Sequence, residues 1–233
     1  MRIFYRGFNF SQDGPGNRLV FHLQGCNMRC PWCSNPEGMA QDGGKEYSTE
    51  ELVSEALRCR PMFFSGGGVT FTGGEATLQT RELEVVLRSL RGEGIHTAIE
   101  TNGTSSELMG LQEHIDYLIM DFKHFDDFTL RSVTGVGNRV LKRNFESLCA
   151  LGRQLHVRIP LINGFNAHAP QGFAEYFSRF DTSGVAFEFL PYHEYGRAKW
   201  KEEYRVKNGF VTAATVSEFR RIFEENELKV IST

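Results

Sequence analysis

The chain has 233 residues, of which 40% are hydrophobic and 24% charged, with a formal net charge of −3. These values describe a globular protein with one sizeable core and give no reason to expect nucleic acid or an anionic membrane as partner. The N-terminus lacks the apolar core of a signal peptide, and no stretch approaches the ~20 apolar residues that span a bilayer. A cytoplasmic protein is expected.

Short apolar, β-branched-rich runs alternate with amphipathic stretches along the chain. The first predicted strand is Arg18–Gln24. A helix follows from Ser48, where Ser48 and Glu51 form a capping-box pattern ahead of Leu52, Val53 and Ala56. A strand at Gly68–Thr72 leads to a helix over Arg81–Leu90, with Leu83, Val86, Leu87 and Leu90 at helical spacing. Strands at His96–Glu100 and Tyr117–Asp121 come next, then a helix after Asn138 carrying Leu141, Phe145 and Leu148. Strands at His156–Leu161 and Ala186–Leu190 flank a helix near Gln171–Phe177. A last helix follows Thr215, paired with Glu218 as a second capping box, and carries Val216, Phe219 and Phe223. This alternation predicts right-handed βαβ units and an α/β fold with a parallel sheet. Periodicity alone leaves both a partial barrel and a doubly wound sheet open. No linker, repeat or low-complexity tract divides the chain, so residues 1–233 read as a single domain.

Five cysteines are present, three of them within eight residues: Cys26, Cys30 and Cys33. Cys59 and Cys149 stand alone and read as buried thiols on helix faces. An odd count in a reducing compartment argues against a disulfide framework, and the tight C-x3-C-x2-C trio points to a metal centre. Four cysteines close an iron–sulfur cubane, whereas three leave one iron without a protein ligand and open to substrate. The alternative is a structural zinc site with His22 as fourth ligand, although no second ligand pair appears elsewhere.

Further candidates lie at or just beyond the ends of predicted strands. Thr72-Gly-Gly-Glu75 combines two glycines, which let backbone approach a ligand, with a carboxylate able to hold an ammonium group. Glu100-Thr-Asn-Gly103 ends the third strand and Asp121-Phe-Lys-His124 the fourth. Residues two apart share a strand face, so Asp121 and Lys123 can point the same way. Arg158, between Val157 and Ile159, predicts a buried anion. His193 follows the sixth strand. Barrel enzymes place their active sites at these C-terminal strand ends.

With Trp32 in the aromatic slot before Cys33, the trio resembles the radical S-adenosylmethionine (SAM) superfamily. That resemblance implies one [4Fe–4S] cluster on Cys26, Cys30 and Cys33, with SAM chelating the open iron. Reductive cleavage of SAM then yields methionine and a 5′-deoxyadenosyl radical. Asp13-Gly-Pro-Gly16, Gly66-Gly-Gly-Val-Thr-Phe-Thr-Gly-Gly-Glu75, Thr134-Gly-Val-Gly-Asn138, Arg158-Ile-Pro and Leu190-Pro-Tyr-His-Glu-Tyr-Gly196 with Lys199-Trp200 are similar to the glycyl-radical-enzyme activases, the family of pyruvate formate-lyase activating enzyme. The fold so implied is a partial (β/α)6 barrel, TIM-like. The activity so implied is abstraction of a hydrogen atom from a backbone glycine of a partner glycyl radical enzyme.

The resemblance also implies residue roles. Trp32 and Ser34 lie against the adenosine, and Gly73, Gly74 and Glu75 against the methionyl end. Asp121, Phe122, Lys123, Arg158 and His193 line the rest of the SAM pocket. Glu100, Thr101 and Asp121 match a monovalent-cation site, with Glu100 where the formate-lyase activator has Asp. Asp13 and its loop help receive the partner's glycine segment. A flavodoxin- or ferredoxin-like reductant and a monomeric state are expected. Trp32-Cys-Ser-Asn-Pro-Glu37 matches the branch that serves dehydratases, decarboxylases and C–N or C–S lyases. Only Gly38–Lys45 separates it from the Ser48 helix, so there is no ferredoxin-like insert and the layout is the compact one. Two rival readings remain: a radical SAM enzyme modifying a small molecule or ribosomal peptide, and a metal-bearing binding module without catalysis.

Overall fold

A computed structural model describes residues 1–232. The strands are β1 (Arg2–Phe10), β2 (Asn17–Leu23), β3 (Lys45–Glu46), β4 (Gly68–Gly73), β5 (Thr97–Thr101), β6 (Tyr117–Asp121), β7 (Leu155–Leu161) and β8 (Val185–Pro191). The helices are α1 (Thr49–Cys59), α2 (Thr80–Gly92), α3 (Leu108–Leu111), α4 (Asp127–Thr134), α5 (Arg139–Ala150), α6 (Pro170–Phe177) and α7 (Ala213–Glu225). The six predicted strands are β2 and β4 to β8, with ends displaced by a residue or so.

The chain forms two compact units. The first comprises residues 1–27, 35–101 and 105–119; the second takes 28–34, 102–104 and the chain from Met120 onward. In the first, the strand order is β3-β1-β2-β4-β5-β6. β2, β4 and β5 run parallel, placing Phe21 beside Phe71 and Phe71 beside Ile99. Parallel strands are covered on both faces, which is why Leu19, Val20, Phe21 and Leu23 succeed one another without polar alternation and are all buried. Leu83, Val86, Leu87 and Leu90 of α2 and Leu52 and Ala56 of α1 are completely buried.

In the second unit β7 and β8 run parallel, with Val157 beside Phe187 and Ile159 beside Phe189. Its core is aromatic. Phe177 of α6 lies 4.7 Å from Phe187, ring centre to ring centre, and Phe223 of α7 lies 4.8 Å from Phe189 and 5.3 Å from Phe187. Tilted and edge-on pairs of this kind add to the area each ring buries.

Several elements depart from the sequence reading. β1 is an antiparallel strand that pairs with β2 as a hairpin, Phe8 opposite Leu19. Its central Gly7 and its two arginines hide the strand pattern. α4 is capped by Asp126, whose carboxylate accepts from Thr129 N at 2.8 Å. The cap of α7 is Thr212, not the predicted Thr215: Thr212 is extended and its hydroxyl accepts from Thr215 N at 3.1 Å. Thr215 therefore sits inside the first turn, three residues after the cap, as the box requires of its partner position. Among the described residues, no helix is long and apolar enough to cross a membrane.

The predicted capping box of α1 is present. Ser48 Oγ accepts from Glu51 N at 3.1 Å and Glu51 Oε2 accepts from Ser48 N at 2.7 Å. Ser48→Ala is expected to remove ~1 kcal/mol of stability, read as a lower urea midpoint of the metal-free protein. An unchanged midpoint would show that the cap carries no weight.

Candidate active site

β2 ends at Leu23, and residues 24–35 run without helix or strand. This loop carries Cys26 and Cys30, both buried, and Cys33, half-buried; none is in a disulfide. Three thiols without a fourth are the donor set of a cubane with one open iron. The loop is braced through its backbone. On the first unit's side, Gly25 N donates to Gly38 O at 2.9 Å, Cys26 N to Met39 O at 3.3 Å, and the Gln41 amide to Cys26 O at 2.9 Å. In the second unit, Arg29 N donates to Thr134 O at 2.8 Å, within the Thr134-Gly-Val-Gly-Asn138 motif. The Trp32 ring lies 4.7 Å from that of Phe165. His22, the candidate fourth ligand for zinc, instead packs against the rings of Phe4 and Tyr5 at 5.7 and 5.2 Å.

The double glycine is close to this loop in the first unit. Gly74 N donates to Leu23 O at 2.9 Å and Glu75 N to Gly25 O at 2.8 Å, so the turn after β4 is bonded to the peptides just before Cys26. A Cβ at Gly73 would strike the backbone of Leu23, and one at Gly74 would strike the carbonyls of Gly25 and Gly38. Gly73 also needs φ +118, a conformation other residues rarely adopt. The glycines thus serve a backbone-on-backbone approach. Glu75 is buried, and its Oε1 accepts from Thr77 N, Thr77 Oγ1 and Thr101 Oγ1 at 3.1, 2.5 and 2.6 Å. The carboxylate thereby joins the ends of β4 and β5. Neighbouring Glu100 accepts from Thr72 Oγ1 at 2.9 Å.

Asp13 lies elsewhere. It is on the turn of the β1–β2 hairpin, before β2, whereas the cysteines come after the other end of that strand, roughly 20 Å away at ~3.3 Å per residue. The Asp13 carbonyl accepts from Thr70 Oγ1 at 2.7 Å, and Thr70 Oγ1 accepts from Arg18 Nε at 2.5 Å. Arg18 is wholly buried, and burial pushes its pKa down to about 10 against the pull of Asp13, which leaves it a cation at neutral pH. This arginine was not singled out by the sequence; a charged residue at the head of an apolar strand was the available signal.

In the second unit Asp121 and Lys123 do share a face, as predicted, with Nζ to Oδ2 at 2.9 Å. Lys123 is buried, so this is not a solvated surface pair. Phe122, between them, turns to the opposite face by strand alternation. It is wholly buried, 4.8 Å from Phe177 and 5.3 Å from Tyr176. The expectation that its side chain lines the SAM pocket is corrected accordingly. Arg158 has the buried anion it requires: Glu188 Oε2 accepts from its Nε at 3.0 Å and lies 3.0 Å from His156 Nε2. Glu188 and Asn166 were missed by the sequence reading. Asn166, wholly buried, donates to the carbonyls of Lys123 and Pro160 at 2.9 and 2.7 Å and accepts from Ile162 N at 2.8 Å. His193 stacks on Tyr195 at 4.2 Å, and burial lowers its pKa.

Residues 20–177 match the radical SAM superfamily, an interval that starts in β2 and includes the cysteine loop. The chain is 36% identical over 195 residues to a pyruvate formate-lyase-activating enzyme of Clostridium pasteurianum, covering 82% of this chain and 81% of the relative. It is 34% identical over 201 residues to one of Staphylococcus epidermidis, covering 81% and 80%. The chain belongs to the radical SAM superfamily. Within the superfamily it is a member of the activating-enzyme family. Among solved structures, a domain of a pyruvate-formate lyase-activating enzyme from Bacteroides vulgatus has a TM-score of 0.61 at 24% identity, over 71% of this chain and 98% of that one. The Streptococcus suis protein SuiB, bound to its precursor peptide SuiA, has a TM-score of 0.69 at 11% identity, over 91% and 47%. The α/β class, with a mostly parallel sheet, and the radical SAM fold are borne out. Radical SAM proteins use a [4Fe–4S] cluster and SAM, and the three-thiol loop fits that cluster.

His124 gives this region a pH dependence. Its Nδ1 accepts from Asp126 N at 2.9 Å, and burial pushes its pKa down to about 4 from 6.5. Between those values the unfolded chain binds the proton and the folded chain does not, so stability falls as pH drops from 6.5 towards 4. The urea midpoint of the metal-free protein is expected to fall more between pH 7 and pH 5 than that of His124→Gln. Equal losses would refute this assignment.

Proposed function

We propose that this protein installs a glycyl radical: it cleaves SAM reductively and removes a hydrogen atom from a backbone glycine of a partner glycyl radical enzyme, pyruvate formate-lyase-like or related. The observation that carries the reading is the identity to pyruvate formate-lyase-activating enzymes over four-fifths of both chains. The single superfamily match runs through residues of both units and supports one radical SAM domain.

When bound and reduced, the cluster supplies the electron that cleaves SAM to methionine and a 5′-deoxyadenosyl radical. Cys26, Cys30 and Cys33 serve as its thiolate ligands. Trp32 and Ser34 contact the adenosine, and Gly73, Gly74 and Glu75 hold the methionyl end. Glu75 does so from a carboxylate already oriented by Thr77 and Thr101. Asp121, Lys123, Arg158 and His193 complete the pocket, with Lys123 and Arg158 held by Asp121 and Glu188. Glu100, Thr101 and Asp121 bind a monovalent cation. The reductant is a flavodoxin- or ferredoxin-like protein, and the chain acts in the cytoplasm as a monomer.

Changing any one of Cys26, Cys30 or Cys33 to Ala is expected to abolish SAM cleavage; retained turnover in one variant would remove that residue from the ligand set. Equal SAM cleavage with and without added potassium or sodium would remove the cation. The reaction itself is tested by electron paramagnetic resonance on anaerobically reconstituted, reduced protein mixed with SAM and a candidate partner. A glycine-centred doublet on the partner is the expected result. A cluster signal that shifts with SAM, with no doublet from any candidate, would overturn the glycyl-radical assignment.

A further inference from the structure

After β8 the chain does not go directly to α7. Residues 191–210 form a strap held together by its own polar and aromatic contacts. Tyr192 OH meets Glu194 Oε1 at 3.1 Å and Tyr204 OH at 2.8 Å. Arg197 donates to Glu194 Oε2 at 2.7 Å, and the rings of Trp200 and Tyr204 meet edge to face at 5.6 Å. The strap touches the cysteine loop at two consecutive residues. The Trp200 indole N–H donates to the carbonyl of Cys33 at 3.1 Å. Gly196 lies so close to the next residue that a Cβ there would stand 2.5 Å from Ser34 Cα and 2.6 Å from Ser34 O.

These contacts bear on the loop's chemistry. Cys33 is the only half-buried cysteine of the trio, and the Cys33 N–H donates to Cys30 O at 3.2 Å. With its carbonyl held as well, both peptide planes flanking the Cys33 Cα are fixed, and with them the direction of its Cα–Cβ bond. An indole N–H is a donor only, so the bond cannot reverse. The surrounding hydrogen bonds of an iron–sulfur ligand fix its orientation and tune the centre.

We propose that the 191–210 strap is a clamp on the cysteine loop and that Trp200 is a positioning residue for Cys33, acting through the Cys33 carbonyl, with Gly196 allowing the approach. The proposal rests on Cys33 being a cluster ligand, but its contact with the loop is testable without the cluster.

The experiment compares Trp200→Phe, which keeps an aromatic ring beside Tyr204 but removes the N–H, with Gly196→Ala, which pushes on Ser34 instead. Backbone hydrogen exchange of residues 30–35 is measured on the metal-free chain and on the anaerobically reconstituted protein. The reduced-cluster spectrum of the reconstituted protein is then titrated with SAM. Exchange in 30–35 is expected to rise ~10-fold in either variant, the scale set by loss of one hydrogen bond. Exchange in β2 and α5 should stay unchanged. The SAM concentration at half-shift of the spectrum should rise by a similar factor at unchanged iron and sulfide content. Wild-type exchange and titration in both variants would overturn the proposal. So would a rise spread equally over β2, α5 and the loop, which would mark a general loss of stability. If the unaltered protein takes up no iron and sulfide, the cluster reading fails, while exchange on the metal-free chain still decides whether the clamp exists.

Discussion

The site depends on one backbone approach, that of the turn after β4 to the peptides that precede Cys26. Two hydrogen bonds make it, from Gly74 N to Leu23 O and from Glu75 N to Gly25 O. Any side chain at 73 or 74 would prevent it. Because β2 and β4 are adjacent parallel strands, their C-terminal ends arrive together, and the segments that leave those ends are neighbours. The cysteine loop leaves one strand and Glu75 the other. Glu75 extends the link to β5 through Thr101, so three strand ends share one polar junction without burying an unsatisfied carboxylate.

The same requirement for satisfied burial recurs in the second unit, where Glu188 stands against both Arg158 and His156 inside an apolar sheet. Truncating Glu188 would leave a buried guanidinium uncompensated, which costs far more than the pair contributes. Arg18 solves the problem differently. Carbonyl oxygens of Pro15 and Val69 and the Thr70 hydroxyl receive its donors, and the charge is retained.

Much of this was legible in the sequence. β2 and β4 to β8 announce themselves because doubly covered parallel strands are continuous apolar runs, and the Ser48 box because its two partners are three residues apart. The cysteine trio and the Asp121/Lys123 pair were legible as local spacings. Other features were not. β1 carries its signal in pairing with β2 rather than in its own alternation. The cap of α7 moved to Thr212 because two threonines three apart compete for one role, and only the backbone conformation decides. Asp13 was grouped with the chemistry by its motif, but its place along β2 is fixed by hairpin register, which composition does not report. Phe122 shows the opposite case: strand alternation, already used for Asp121 and Lys123, was enough to send it to the core.

Residues 28–34 are synthesised early, yet they belong to the unit made mostly of residues 120 onward. Their partners Thr134, Phe165 and Trp200 lie roughly 100 to 170 residues downstream. At ribosomal speeds of 5–20 residues per second, the Cys33 carbonyl waits roughly 10–30 s for the indole that bonds to it. Throughout that interval, two of the three thiols sit on chain that has emerged but has no finished surroundings. The loop that holds Cys30 and Cys33 thus gains its bonded neighbours only when nearly all of the chain has been made.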